Sequence, residues 1–172
     1  EIEKGALEDL DNIKTFPLPD FSPQQYYKKA QELFANNSDL WHLGYIEGFS
    51  FTMAANLRRL DRYFMDLITN RDKLTILHNR IDEQIKVQTK RLAEIDADCI
   101  MFAEDLGTQQ QLLINPDLWR DEFKPRYADI CAYAHSLGLR VFMHSCGRII
   151  DIMPDMIEAG VDLFQINSPK LF

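Results

Sequence analysis

The stretch Val141-Phe142-Met143-His144-Ser145-Cys146-Gly147 decides the fold and locates the chemistry. An apolar strand pattern from Leu139 to Met143 runs into His144; Cys146 follows two positions later, and Gly147 leads into a helical pattern from about Arg148. Side chains two apart on an extended segment point to the same side. His144 and Cys146 therefore converge at the end of a strand. Imidazole and thiolate suit zinc, and two donors to one tetrahedral ion should lie within about 4 Å of each other. A helix starting just after Cys146 is expected to favour its thiolate form.

Upstream of this stretch, strand and helix patterns alternate. Residues 1–21 are acidic and then Pro-punctuated, an irregular lead-in. Ser22-Pro23-Gln24-Gln25 starts a short helix, with Ser as cap and Pro at the first position. Residues 40–46 read as a strand, with Trp41, Leu43 and Tyr45 on one side. Helices over 53–68 and 73–95 follow, separated at Asn70-Arg71-Asp72, and Arg58, Arg59 and Arg62 read as a solvated face. Residues 98–103 are a second strand, followed by a polar loop. Asn115-Pro116-Asp117 starts a helix that Gly138 stops. Downstream of the quoted stretch, a helix over 148–159 contains Pro154, which predicts a kink or a late start. Residues 161–166 are a fourth strand.

Strands alternating with helices and no hairpin signal describe an α/β protein with a parallel sheet. The strands are mostly apolar, as expected when both faces are covered. No glycine-rich phosphate loop is present. A (β/α)8 barrel needs eight strands and about 250 residues, whereas four strands are read here in 172 residues. The expectation is a single domain, 1–172, forming part of a (β/α)8 TIM barrel cut at both ends. The chain stops after a strand, at Ser168-Pro169-Lys170-Leu171-Phe172. Half a barrel exposes two strand edges and is expected to fold poorly alone.

Bulk composition narrows the function. Apolar residues are 46% and charged residues 27% of the chain, ordinary for a globular protein. A net charge of -8 argues against sequence-independent nucleic-acid binding. No apolar run reaches the roughly 18 residues of a membrane span. Three scattered cysteines, Cys99, Cys131 and Cys146, do not make a disulfide framework. The default compartment is a reducing cytoplasm.

Four runs, taken in order, resemble the uroporphyrinogen decarboxylase superfamily. They are Asp98 to Gln110, Ile114 to Pro125 (Ile-Asn-Pro-Asp-Leu-Trp-Arg-Asp-Glu-Phe-Lys-Pro), His144-Ser145-Cys146-Gly147, and Glu158-Ala159-Gly160-Val161-Asp162. The resemblance covers residues 98–166 clearly and 16–70 more loosely. It implies a (β/α)8 barrel and one of two activities: tetrapyrrole decarboxylation in porphyrin biosynthesis, or zinc-dependent methyl exchange with a corrinoid protein and a thiol-type acceptor. In the methyltransferase branch the H-x-C motif supplies two zinc ligands and a distant downstream Cys a third. His144 and Cys146 match the first two, so the third is expected beyond Phe172. The decarboxylases use no such site and carry an arginine-rich N-terminal segment that is not seen here. A non-catalytic binding protein on the same scaffold is the alternative outside enzymology.

The remaining candidates follow from position. Cys99 begins its strand while His144 ends one, about five residues or roughly 15 Å away along the sheet. Cys131 is mid-helix. Neither should complete the metal site. Glu47, Glu104 and Asp105 follow strands, at the end where barrels collect their active sites. Asp105 matches an acidic position recurrent in the superfamily and is the candidate catalytic residue, to orient substrate, assist proton transfer or donate a ligand oxygen. Its bland reading is a loop cap. Glu47, Glu104, Gln165 and Asn167 are candidates for substrate binding at the same mouth. Phe49, Phe51 and Met53 are read as a pocket wall or as core. The expected small-molecule substrate is accompanied by a corrinoid-carrying partner protein, and oligomerisation stays open.

Overall fold

The structure, a computed structural model, describes residues 4–167. Four strands form one sheet in the order β1-β2-β3-β4: β1 (Leu43–Ile46), β2 (Cys99–Ala103), β3 (Arg140–Ser145) and β4 (Leu163–Ile166). All three pairings are parallel, and Ile46, Phe102, Met143 and Phe164 lie side by side. Parallel neighbours in sequence order, joined through helices, are consecutive units of a (β/α)8 barrel. The terminal run Ser168 to Phe172 lies outside the described residues. No described helix is long and apolar enough to cross a membrane.

Among the described residues, α1 (Lys28–Ala35) precedes β1 and six α-helices join the strands: α2 (Ser50–Arg58), α3 (Leu60–Thr69), α4 (Arg71–Ala93), α5 (Pro116–Glu122), α6 (Lys124–Ser136) and α7 (Met153–Glu158). The helix expected from Ser22-Pro23 is instead an uncapped 3-10 turn, Gln24–Tyr26, ahead of α1, and two further stretches expected as single helices are each two. Arg59 takes a φ of 71° between α2 and α3, which ends the helical ladder there. Pro125 near the start of α6 lacks the N–H that a continuous helix needs. Asn115 caps α5 as expected, its side chain accepting from Asp117 N at 2.7 Å. Pro154 produces a late start rather than a kink: α7 begins only at Met153.

Burial alternates along the strands, which corrects the expectation that both sheet faces are covered. Ile46, Ile100, Phe102, Val141 and Met143 are buried on one face, with α4 and α6 contributing Leu77, Ile81, Ile85, Tyr127 and Ile130 to the same core. The other face carries Tyr45, Met101, Phe142 and Leu163 in register, and Tyr45 and Leu163 are 55% and 40% exposed. In a closed barrel that face is the filled interior.

At the N-terminal ends of the strands, two aspartates tie neighbours together. Asp98 accepts from His42 N at 2.6 Å, and Asp162 from Val141 N at 2.8 Å. Each links the residue before one strand to its neighbour, which pins register.

Among its described residues, 4–21, the lead-in is irregular apart from a single 3-10 turn at Leu10–Asn12, yet it is packed. Leu7, Leu10 and Ile13 are buried. Arg58, read from sequence as part of a solvated face, is 5% exposed and anchors this segment. It donates to the carbonyls of Leu7 and Glu8 and pairs with Asp66 at 2.6 Å. A guanidinium has donors enough for all three partners.

Candidate metal centre and adjoining cleft

Parallel registry sets the site. Ala103, His144 and Gln165 are neighbours across β2, β3 and β4, so the residues just beyond them share one mouth. Asp105, His144 and Cys146 meet there, with one potential ligand atom from each lying within 4.8 Å of the others. His144 Nε2 is 3.6 Å from Cys146 Sγ. Two ligands at about 2.0 and 2.3 Å from a tetrahedral ion are separated by roughly 3.5 Å.

Two glycines make this approach feasible. Gly147 has a φ of 75°, and a Cβ built there would sit 2.1 Å from Gly107 O. A Cβ on Gly107 would meet Arg148 N at 2.6 Å. The loops after β2 and β3 therefore touch backbone to backbone, sealed by Arg148 N donating to Thr108 O at 2.8 Å. This contact brings Asp105 Oδ1 within 2.9 Å of Cys146 N, which donates to it.

The surrounding groups orient the ligands. Gln165 Oε1 lies 3.0 Å from His144 Nδ1. An amide oxygen only accepts, so Nδ1 carries the proton and the Nε2 lone pair faces Cys146. Asn167 Nδ2 donates to Cys146 Sγ at 3.4 Å. Gln165 and Asn167, expected at the mouth as substrate contacts, are thus engaged with the two candidate ligands. Loss of solvation, then the Asp105 carboxylate, push the Cys146 thiol up, against the Asn167 N–H. This corrects the expected helix effect. With α7 starting at Met153, no helix terminus adjoins the sulfur.

The donor set fits zinc in kind: sulfur, imidazole nitrogen and carboxylate oxygen. Asp105 is placed to offer the oxygen donor considered for it, within this chain. Cys99 and Cys131 stay out of the cluster, as the strand geometry required. Both are buried, and burial pushes their thiols up to about 12.

Glu47 and Asp105 line a second feature, a cleft of about 280 Å³ beside the cluster. Tyr45, Phe51, Asn56 and Ala103 are among its walls. Phe51 is the one residue of the suggested aromatic wall that lines it; Phe49 instead stacks on Phe102 with centroids 3.6 Å apart. Tyr45 and Asn56 had no chemical motif to mark them. Their signal was positional: Tyr45 alternates onto the open sheet face, and Asn56 follows on α2.

Glu104 departs from its expected role. Its neighbour Asp105 points to the mouth, but Glu104 is fully buried on the helix side. There it accepts from Thr52 N at 3.1 Å and from the Tyr127 hydroxyl, holding the start of α2 to α6. Burial raises its carboxyl from the ordinary 4.5 to about 7, against these hydrogen bonds. The folded state therefore keeps a proton that the unfolded chain releases near pH 4.5. The resulting stabilisation is complete below that pH and is lost as pH rises through 7. Urea unfolding at about pH 5 and about pH 8 is expected to show about 2–3 kcal/mol more loss in the wild type than in Glu104→Gln. Equal pH dependence in the two proteins would refute the assignment.

Comparison with known proteins agrees with this architecture. A methyltransferase from Methanosarcina mazei superposes with a TM-score of 0.68 at 22% sequence identity, over 79% of this chain and 39% of that one. At that identity the likeness concerns the fold, and this chain spans about two fifths of the matched protein's length. No curated protein matches the chain. The uroporphyrinogen decarboxylase (URO-D) family model matches residues 2–170. With nearly every residue inside that match and the parallel barrel units it requires in place, the chain belongs to the uroporphyrinogen decarboxylase (URO-D) family.

Proposed function

We propose that this chain carries part of the active site of a zinc-dependent methyltransferase, exchanging a methyl group between a corrinoid protein and a small thiol. The observation that carries the reading is the convergence of Asp105, His144 and Cys146, with ligand atoms within 4.8 Å of one another. Bound among them, zinc would supply the positive charge that keeps a substrate thiol ionised at neutral pH.

The chain's own residues prepare for that charge. Gln165 holds the His144 tautomer, leaving Nε2 free to donate its lone pair. Asp105 and a Cys146 thiolate are like charges in close contact, and each is stabilised when a cation lies between them. Asn167 keeps an N–H on the sulfur, which moderates its basicity. The cleft at the strand C-termini receives the small molecule. Tetrapyrrole decarboxylation, the other activity in the family, calls for cations facing several substrate carboxylates. Among the described residues, the cleft is lined by two carboxylates and by no lysine, arginine or histidine.

The test uses the whole, zinc-loaded protein with methylcobalamin and 2-mercaptoethanol as stand-ins for the partner's cofactor and the acceptor. Formation of the methyl thioether above the protein-free rate is expected. Decarboxylation of uroporphyrinogen with no methyl transfer would replace this reading.

A further inference from the structure

We propose that the cleft beside the metal cluster selects a thiol bearing an ammonium group, with Glu47 as its specificity determinant. The inference rests on the methyltransferase reading for the thiol, and on the cleft alone for the charge.

Size comes first. At roughly 30 Å³ per heavy atom, the share of a water molecule in the liquid, about 280 Å³ holds on the order of ten non-hydrogen atoms. That is room for a short-chain molecule. The cleft touches the metal cluster through Asp105, which lines the one and belongs to the other. A molecule seated in the cleft can therefore reach the cluster with one end while its other end lies toward Glu47.

Charge comes second. Glu47 is exposed at the end of β1 and forms no salt bridge among the described residues. A divalent cation at the cluster is balanced by the Asp105 carboxylate and the Cys146 thiolate. Glu47 is then the charge in the cleft left without a counterpart. An anionic tail would meet it with no cation among the described lining residues to offset the repulsion. An ammonium group would be attracted.

The walls favour the same group. Tyr45 lines the cleft together with Glu47 and Asp105. An aromatic face next to a carboxylate is a binding environment for ammonium groups. Phe51, Ala55, Leu60 and Leu113 supply the apolar remainder, which suits the short alkyl stem between thiol and ammonium.

Calorimetric titration of the whole zinc-loaded protein separates the possibilities with three short thiols: cysteamine, 2-mercaptoethanol and 3-mercaptopropionate, which are cationic, neutral and anionic. Cysteamine is expected to bind roughly tenfold more tightly than 2-mercaptoethanol and the anion more weakly still, the effect of one nearby charge at a partly solvated site. Glu47→Gln should remove the preference, and Glu47→Lys should reverse it toward the anion, with zinc content unchanged in both. The same comparison in zinc-free protein, with choline against its neutral isostere 3,3-dimethylbutan-1-ol, tests the charge selection without the metal. Preference for choline in a protein that takes up no zinc would retain the ammonium site and discard the methyltransferase reading. Equal binding of the charge series, tighter binding of the anion, or a preference that survives Glu47→Lys would overturn the proposal.

Discussion

Replacing Cys146 with serine is expected to remove most of the zinc from the whole protein. The wild type should hold about one zinc per chain after chelator-free purification. Serine keeps the size of the side chain, but its hydroxyl stays protonated where a thiolate is required. Affinity should fall by at least about 100-fold, because a metal-stabilised anion is lost rather than one hydrogen bond among several. The fold should survive, since Cys146 sits at the rim and its Sγ contacts are Asp105, His144 and Asn167. Elemental analysis with far-UV circular dichroism on both proteins measures this. Equal metal content would take Cys146 out of the site, and wild type that takes up no added zinc would remove the metal altogether.

Arg58→Met is expected to destabilise the protein by about 3–5 kcal/mol, the usual cost of leaving one half of a buried ion pair without its partner. Asp66 is 5% exposed and among the described residues would keep one side-chain hydrogen bond, from the Asn70 amide to its other oxygen at 2.9 Å. The carbonyls of Leu7 and Glu8 would lose the donor that draws the lead-in onto the core. Adding Asp66→Leu should recover much of the loss, because an apolar pair no longer strands a charge. Chemical denaturation of the single and double variants is the measurement. A single variant within about 0.5 kcal/mol of wild type would show that the pair contributes nothing.

The failures of local reading share a cause. Arg58 looked like a neighbour of Arg59 and Arg62 on a wet helix face. Its partner Asp66 is eight residues on, beyond one helix break, and the other partners, Leu7 and Glu8, lie about fifty residues back, so the local charge pattern did not expose it. Glu104 and Asp105 are adjacent acids after one strand, and both were expected at the mouth. Successive side chains near a strand end point to opposite sides, so one lines the cleft and the other is buried against Tyr127. That alternation was available in principle; which of the two faced inward was not.

The sequence by itself determined the strand and helix order, the parallel sheet and the convergence of His144 with Cys146. Each depends on short-range periodicity, apolar runs, and the caps and breakers at Asn115, Gly138 and Pro154. Family membership was legible for a related reason, since its motifs are runs of adjacent residues. Tertiary structure alone decided that Asp105 joins the pair, that Gln165 and Asn167 contact His144 and Cys146, and that Glu47 and Tyr45 border a cleft. Those relations cross from one strand to the next through register and through the Gly107–Gly147 contact. Parallel neighbours are brought together by long crossovers, so the distances that make a site are set by packing between segments rather than by spacing along the chain.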